Sequence, residues 1–372
     1  MPSVTISLHD QSIALPDPLE LADGQRVDTA EKWTALRRPE LLELFREEVY
    51  GRAPVGRPQD LSFSVEEDGS ALEGTARRKR VAIRYRGPGG EGAINLILFI
   101  PAAQAAPVPC FLLLNNRMPT MPERQEPNDF WPADAMIERG YAAAVFQNTD
   151  VVADAHDDFS SGIFPIFEAP GERAPDAWGA IAAWAWGASR VMDYLVTDPA
   201  IDAQRVALVG HSRGGKAALW AGAEDERFAL VVSNESGSTG AALARGKVGE
   251  RIERINTSFP HWFCANYKAY NGREEALPVD QHELLALIAP RLLYVASASE
   301  DQWADPEAEY AAAVAAGPVY ALFGHQGLSG SFPAIETPRH QGQIGHHIRV
   351  GKHSMTHYDW SRFMDFADKH WD

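Results

Sequence analysis

The sequence predicts an α/β protein in which helices cover both faces of a mostly parallel sheet. Short apolar runs alternate with helical segments through most of the chain: 107-PVPCFLLLNN, 141-YAAAVFQN, 206-VALVG, 228-FALVVSN, 291-RLLYVAS and 318-PVYALFG. Runs of this kind, about 20 to 60 residues apart, are typical of parallel strands joined by helical crossover connections. No proline- or serine-rich linker interrupts the chain. We therefore expect residues 1–372 to form a single domain.

The first part of the chain, residues 1–60, predicts an extended lead-in and a helix that decorate this core. The segment 39-PELLELFREEVYG-51 begins with a proline and ends with a glycine, as helices commonly do. Three alternating segments follow it, separated by turn signals, and each predicts a strand: 61-LSFSVEEDG, 80-RVAIRYRG and 94-INLILFIPA.

Composition and charge narrow the possible partners. Of 372 residues, 45% are hydrophobic and 23% are charged, which predicts a substantial core. The formal net charge of −17 argues against nucleic acids and anionic membranes as partners, because both attract Lys/Arg surfaces. No apolar run is long enough for a membrane span, and MPSVTISLHDQS lacks the basic and apolar regions of a secretory signal. We expect a monomer that binds a small molecule.

Metals and cofactors are not expected from the cysteine pattern. The two cysteines, Cys110 and Cys264, are far apart and belong to no CxxC or Cys/His motif. This spacing argues against a zinc site but leaves a disulfide between them open.

The segment 205-RVALVGHSRGGKAALWAGA-223 predicts a nucleophilic serine. A run of strand formers leads into Gly210, Ser212 and Gly214, and an alanine-rich helical segment follows. Such a turn holds its serine at the mouth of a strand, and the glycines avoid Cβ clashes with strand and helix. A capping serine in a glycine-rich turn is the alternative. The flanking strand and helix favour the nucleophile, and with it a three-layer α/β-hydrolase sandwich.

A nucleophilic serine needs a histidine and a carboxylate, which in this fold follow it at the ends of later strands. His353 comes after the last strand-like run and is the expected base. Glu235 follows 228-FALVVSN, and Asp301 follows 291-RLLYVAS. Both acids stand at strand ends, where open α/β sheets build their sites, so position alone leaves the third role open.

From about residue 30 to its end, the chain resembles the glucuronoyl esterases, which cleave esters of 4-O-methyl-glucuronic acid. The resemblance is carried by six blocks in the family's order: GHSRGGKAALWAGA, SNESG, FPHWFCANY, LPVDQHELLALIAPR, SASEDQWADP and HIRVGKH. Several ordered blocks are more specific than any single motif.

The resemblance implies roles for individual residues. Ser212 would be the nucleophile, His353 the base, and Arg213 a partner of the oxyanion. Three further residues would contact the sugar: Lys216, Trp303 and Glu250. Family members use either of two acids or both; this chain has both, and we expect Glu235 to be the principal one. His211 stands where many members have cysteine, so the disulfide that fungal members form there is not expected.

The predicted function is a metal-independent serine esterase that hydrolyses glucuronic acid esters, such as lignin–carbohydrate links, through an acyl-enzyme. Such polymeric substrates lie outside the cell, which would imply a secreted or periplasmic protein. Two alternatives remain at this point. The chain could hydrolyse acetyl-xylan or another small ester, or it could be an inactive carbohydrate-binding protein on a hydrolase scaffold.

Overall fold

The computed structural model describes residues 3–103, 107–117, 128–157 and 159–371. The strands in these ranges form a two-stranded hairpin and a nine-stranded sheet. The hairpin pairs β1 (Ser3–Leu8) with β2 (Gln11–Pro16). The strands of the large sheet are β3 (Leu61–Ala71), β4 (Ala76–Gly87), β5 (Gly90–Pro101), β6 (Val108–Asn115), β7 (Ala142–Gln147), β8 (Ile201–His211), β9 (Leu230–Asn234), β10 (Leu292–Ala298) and β11 (Ile344–Arg349).

The large sheet is mostly parallel, as expected. Its order is β3-β4-β5-β7-β6-β8-β9-β10-β11, and all neighbours from β7 to β11 are parallel. The three alternating segments predicted before residue 102 form the antiparallel edge β3-β4-β5, and β5 joins β7 in the antiparallel sense. The carboxyl ends of β8, β9, β10 and β11 therefore lie next to one another at one edge of the sheet, which is where this class of fold builds its sites.

Helices complete the layers on both faces of the sheet. Their bounds are α1 (Ala30–Lys32), α2 (Arg38–Phe45), α3 (Ala133–Glu138), α4 (Phe164–Phe167), α5 (Ala180–Leu195), α6 (Arg213–Glu224), α7 (Ile252–Ser258), α8 (Gln281–Ala286), α9 (Pro306–Ala315), α10 (Gly317–Leu322) and α11 (His357–Trp371). The π-helical turns Trp33–Arg37 and Arg46–Tyr50 flank α2. None of the helices that the structure describes combines the length and apolarity needed to cross a bilayer.

Two buried clusters lie on opposite faces of the sheet and give three layers. Along β6, Leu112 and Leu114 belong to the larger cluster, whereas Phe111 and Leu113 belong to the smaller one. Adjacent strand residues point to opposite faces, so the alternation shows that both faces are covered. The larger cluster includes buried side chains of α5, α6 and α8, and the smaller one includes those of α3 and α11.

One predicted strand is wrong. The run 318-PVYALFG lies largely in α10, and the parallel strand at this edge of the sheet is β11. A short apolar run has no periodicity that separates a strand from a buried helix. Pro318 favours the helix, because proline suits the first helical turn and cannot donate a hydrogen bond to a ladder.

The amino-terminal segment contributes to the core that it decorates. Leu8 and Leu15 of the hairpin are buried in the larger cluster, and the predicted helix ends at Gly51, with a φ of 86°. The expectation of one domain stays a prediction. Cys110 and Cys264 are buried with free thiols, so the question of their pairing is answered: they form no disulfide.

Candidate active site

Ser212 lies in the sharp turn between β8 and α6, where the sequence predicts a nucleophile elbow. Its φ of 57° and ψ of −124° are strained for a residue other than glycine. A Cβ on Gly210 would lie 2.0 Å from the carbonyl oxygen of Gly214, so strand and helix can approach this closely only with glycine there. The Ser212 N–H donates to the carbonyl of Asn234 (2.8 Å), which attaches the turn to β9.

His353 faces this serine from the loop after β11. Its Nε2 lies 2.9 Å from the Ser212 Oγ, and its Nδ1 faces two carboxylates. Because carboxylates accept hydrogen bonds, the proton of the neutral ring belongs on Nδ1, which leaves the Nε2 lone pair for the serine hydroxyl. The His353 side chain is 39% exposed, so it can be reached from solvent.

The two candidate acids both reach His353, but not equally. Asp301 Oδ2 lies 2.6 Å from Nδ1, whereas Glu235 Oε2 lies 3.3 Å from it. The oxygens of Glu235 also accept from the Arg349 guanidinium (2.7 Å) and from the Ser354 N–H (3.0 Å). Asp301 therefore makes the shorter bond, and Glu235 divides its oxygens among several donors. The expectation that Glu235 is the principal acid stays a prediction.

The charges around His353 favour its protonated form. Burial lowers the pKa of His353, but the hydrogen bonds to Asp301 and Glu235 outweigh it and raise the pKa to about 9. Burial raises the pKa of the Glu235 carboxyl to about 7, although the hydrogen bond to His353 and the charge of Arg349 oppose the shift. The site therefore gathers negative charge on the side of the imidazole that faces away from Ser212.

Arg213, the first residue of α6, lies beside the serine and is held from outside the elbow. Its guanidinium hydrogen-bonds the carboxylate of Asp154 and lies 4.9 Å from the ring centroid of Trp262. The Asp154 carboxylate also bonds His261 Nε2 (2.9 Å) and Trp262 Nε1 (2.7 Å). Burial opposes ionisation of Asp154, yet these hydrogen bonds and the charge of Arg213 lower its pKa to about 2. Asp154 is therefore a permanent anion that orients the arginine.

The three residues assigned to the sugar by resemblance lie together. Lys216 is buried, which lowers the pKa of its ammonium; its Nζ donates to the carbonyl of Ser236 (2.6 Å) and lies 3.5 Å from Glu250 Oε2. The Glu250 N–H donates to the carbonyl of Trp303 (3.0 Å). Trp303 is 53% exposed, so its indole can be reached from solvent. An exposed indole next to a lysine and a glutamate matches the apolar wall and polar contacts of a ligand pocket.

All eight residues singled out from the sequence line one cleft of about 310 Å³. The other lining residues, which the sequence reasoning missed, are Ser236, Gly237, Phe259, Trp262 and Ala304. The block FPHWFCANY contains Phe259 and Trp262, so the motif that carried the resemblance already held a signal for them. Asp154 and Arg349 were also missed. Asp154 follows the predicted strand 141-YAAAVFQN, and this position after a strand end was its only signal.

His211 occupies the position where a fungal disulfide would begin, and it is fully buried. Its Nδ1 lies 2.6 Å from Asn234 Oδ1 and its Nε2 lies 2.7 Å from Arg117 Nη2. The arginine can only donate, so Nε2 accepts and the proton is on Nδ1. Burial holds the pKa of His211 well below its usual value, so the ring is a neutral neighbour of His353, with centroids 4.5 Å apart.

Among the described residues, Glu235, Asp301 and His353 form the one group whose atoms are close enough to hold a metal ion, within 4.8 Å of one another. We interpret the group as a hydrogen-bonded acid–base set. The guanidinium of Arg349 already contacts Glu235, and its positive charge opposes a cation there. The absence of a metal or cofactor from the reaction stays a prediction.

Comparison with known proteins identifies the family. Residues 94–324 match the family of fungal glucuronyl esterases, and a carbohydrate esterase of an unknown prokaryotic organism is 40% identical over 96% of this chain and 89% of its own length. The chain belongs to the glucuronoyl esterase family. The present chain is also 31% identical to a 4-O-methyl-glucuronoyl methylesterase of Wolfiporia cocos, over 83% of the present chain and 72% of the relative.

Solved structures agree with this assignment. The glucuronoyl esterase is similar to one from Solibacter usitatus, with 42% identity, a TM-score of 0.90 and coverage of 97% and 99% of the two chains. It is also similar to a carbohydrate esterase family 15 glucuronoyl esterase from Teredinibacter turnerae, with 32% identity, a TM-score of 0.87 and coverage of 96% and 89%. The predicted α/β-hydrolase fold and carboxylic-ester hydrolase class are confirmed, and these relatives do not favour the acetyl-xylan alternative.

Proposed function

We propose that this esterase hydrolyses esters of glucuronic or 4-O-methyl-glucuronic acid through an acyl-enzyme on Ser212. The observation that carries the proposal is the hydrogen-bonded series Ser212–His353–Asp301, which opens into the cleft that Trp303 lines. The relatives from Wolfiporia cocos, Solibacter usitatus and Teredinibacter turnerae are glucuronoyl esterases, which supports a uronate as the acid part of the ester.

The first half of the reaction forms the acyl-enzyme. His353 Nε2 takes the proton of the Ser212 hydroxyl, and Oγ attacks the C6 carbonyl carbon of the uronate ester. The carbonyl electron pair moves to oxygen and forms a tetrahedral oxyanion. Collapse of this intermediate breaks the bond to the alkoxy oxygen, and the imidazolium gives its proton to the leaving alcohol. In the second half, His353 activates a water that attacks the acyl-enzyme and regenerates the Ser212 hydroxyl.

The oxyanion is stabilised from the start of α6. Arg213 lines the cleft, and its N–H is in the first helical turn, whose N–H groups have no partner within a helix. A fixed cation and a backbone donor at this place stabilise the charge that appears only after attack. Asp154 and Trp262 restrict the guanidinium, so the arginine needs little reorganisation when the anion forms.

The two acids have different roles in this proposal. Asp301 is the principal partner of His353, because its 2.6 Å hydrogen bond orients the imidazole and stabilises the imidazolium. Glu235 adds a second negative charge from 3.3 Å. The sugar ring of the substrate lies against Trp303, and its hydroxyl groups bond Lys216 and Glu250.

Hydrolysis of benzyl glucuronate and p-nitrophenyl acetate by the wild type and Ser212→Ala tests this function. We expect the wild type to prefer the glucuronate and the variant to lose activity on both esters. Ser361→Ala, in α11, is the matched control and should keep full activity. Full activity of Ser212→Ala on the glucuronate would refute the nucleophile, and a wild type that hydrolyses only the acetate would refute the uronate specificity. A fluorophosphonate probe should label the wild type and not Ser212→Ala.

We also propose that the esterase acts as a monomer. A single chain supplies the nucleophile, the base and both candidate acids of the site, which supports this proposal. Light scattering should give a mass near 40.8 kDa. A dimer mass would contradict the proposal.

A further inference from the structure

Arg349 belongs to the block HIRVGKH but has no role in the chemistry described so far. It is the last residue of β11, only four positions before His353, and is 4% exposed. A guanidinium retains its charge in any protein environment, so a buried arginine must be surrounded by partners.

The partners of Arg349 come from two other elements and from the loop that carries the catalytic histidine. Its Nε donates to Asp359 Oδ2 of α11 (2.9 Å), and its Nη2 donates to Glu235 Oε1 at the end of β9 (2.7 Å). Its Nη groups also bond three loop carbonyls, those of Val350 (3.0 Å), Lys352 (2.8 Å) and Ser354 (2.5 Å).

We propose that Arg349 is a positioning residue of this active site, which keeps Glu235 ionised against His353 and fixes the 350–354 loop. One guanidinium links Glu235 to the carbonyls on both sides of His353, so the histidine and its second carboxylate are set by the same group. The inference rests on the proposed roles of Ser212 and His353.

The need for a cation follows from the crowding of acids. Glu235 is buried, and burial together with the charge of Asp359 raises its pKa. The Glu235 charge in turn raises the pKa of the buried Glu309 carboxyl of α9. Arg349 is the guanidinium in contact with it, while Arg117, after β6, acts on it only at longer range. Without Arg349, the Glu235 carboxyl would take up a proton, because a buried carboxylate without a partner cation is costly.

The charge of Glu235 in turn acts on His353. The other groups that face this histidine are Asp301 in the loop after β10, the Ser212 hydroxyl, and the neutral His211 ring at the end of β8. Loss of the Glu235 charge should therefore lower the pKa of His353 while Asp301 still holds the ring. A clamp that only stabilises the loop would not change this protonation.

The test compares the pH dependence of kcat/KM on benzyl glucuronate for the wild type, Glu235→Gln, Arg349→Gln, Arg349→Lys and the double variant Glu235→Gln/Arg349→Gln. The acid limb of this profile reports the pKa of His353, which must be neutral to act as the base. We expect Glu235→Gln and Arg349→Gln each to shift this limb to lower pH by about one unit. The double variant should shift it no further than Glu235→Gln does. Arg349→Lys, which keeps the charge, should restore the wild-type limb.

Two results would overturn the proposal. One is an Arg349→Gln enzyme with a lower kcat at every pH and an unmoved acid limb. The other is an unmoved limb in Glu235→Gln, which would mean that Glu235 is uncharged in the wild type; this nearly isosteric variant answers the question even where Arg349→Gln does not fold. Ser212→Ala is run in parallel. If Ser212→Ala is inactive while the acid limbs of the Arg349 and Glu235 variants stay at the wild-type pH, only the role of Arg349 fails and the proposed function stands.

Discussion

Replacement of Asp301 by asparagine should damage catalysis more than replacement of Glu235 by glutamine. Each change removes the negative charge of one carboxylate that faces the imidazolium, the cation that His353 becomes when Ser212 attacks. At an effective dielectric constant of about 20, the attraction is about 6 kcal/mol across the 2.6 Å to Asp301 and about 5 kcal/mol across the 3.3 Å to Glu235. The difference of about 1.4 kcal/mol corresponds to about tenfold in rate.

Solvent at the half-exposed His353 screens both attractions, so tenfold is an upper figure for the difference. The loss in Asp301→Asn itself should be about 10- to 150-fold in kcat, the equivalent of a charge-assisted hydrogen bond of about 1.5 to 3 kcal/mol. The assay is steady-state hydrolysis of benzyl glucuronate. Asp202→Asn, at the opposite end of β8 from Ser212, is the matched control and should keep wild-type kcat. A larger loss in Glu235→Gln than in Asp301→Asn would refute this ordering of the acids.

Three further predictions concern the base His353, the turn at Gly210 and the exposed indole of Trp303. The pKa of His353 is raised to about 9, and only its neutral ring accepts the serine proton. Therefore kcat/KM should rise with pH up to about 9, about tenfold per pH unit in the acid range. A profile that is already flat at pH 7 would contradict this. Gly210→Ala should lower the free energy of unfolding by about 3 kcal/mol, because the new Cβ would meet the Gly214 carbonyl; the measurement is a lower Tm. Gly69→Ala, which has open space around it, should keep the wild-type Tm. Trp303→Ala should raise KM for benzyl glucuronate about tenfold and leave p-nitrophenyl acetate unchanged; equal effects on both esters would argue against a sugar-binding wall.

Local patterns in the sequence were sufficient for most of the architecture. Buried parallel strands have near-continuous apolar runs, and β6 to β10 were found in this way. The run at 318–324 lies largely in a helix instead, since four to eight apolar residues fit a buried helix turn as well as a strand. The helix end at residue 51 follows from the sequence because Gly51 acts through its own backbone, which adopts a positive φ.

The sequence by itself determined Ser212 as the candidate nucleophile, because the elbow is a local structure whose strand, glycines and helix lie within 19 consecutive residues. Only the tertiary structure decided which acid lies nearer to His353, since Asp301 and Glu235 reach it from different strands and their distances differ by less than the length of a bond. The same is true of Asp154 and Arg349. Charged residues of this kind are common in any chain. What distinguishes these two is contact with a specific charged partner, Arg213 for Asp154 and Glu235 for Arg349, which exists only after the strand ends have been brought together.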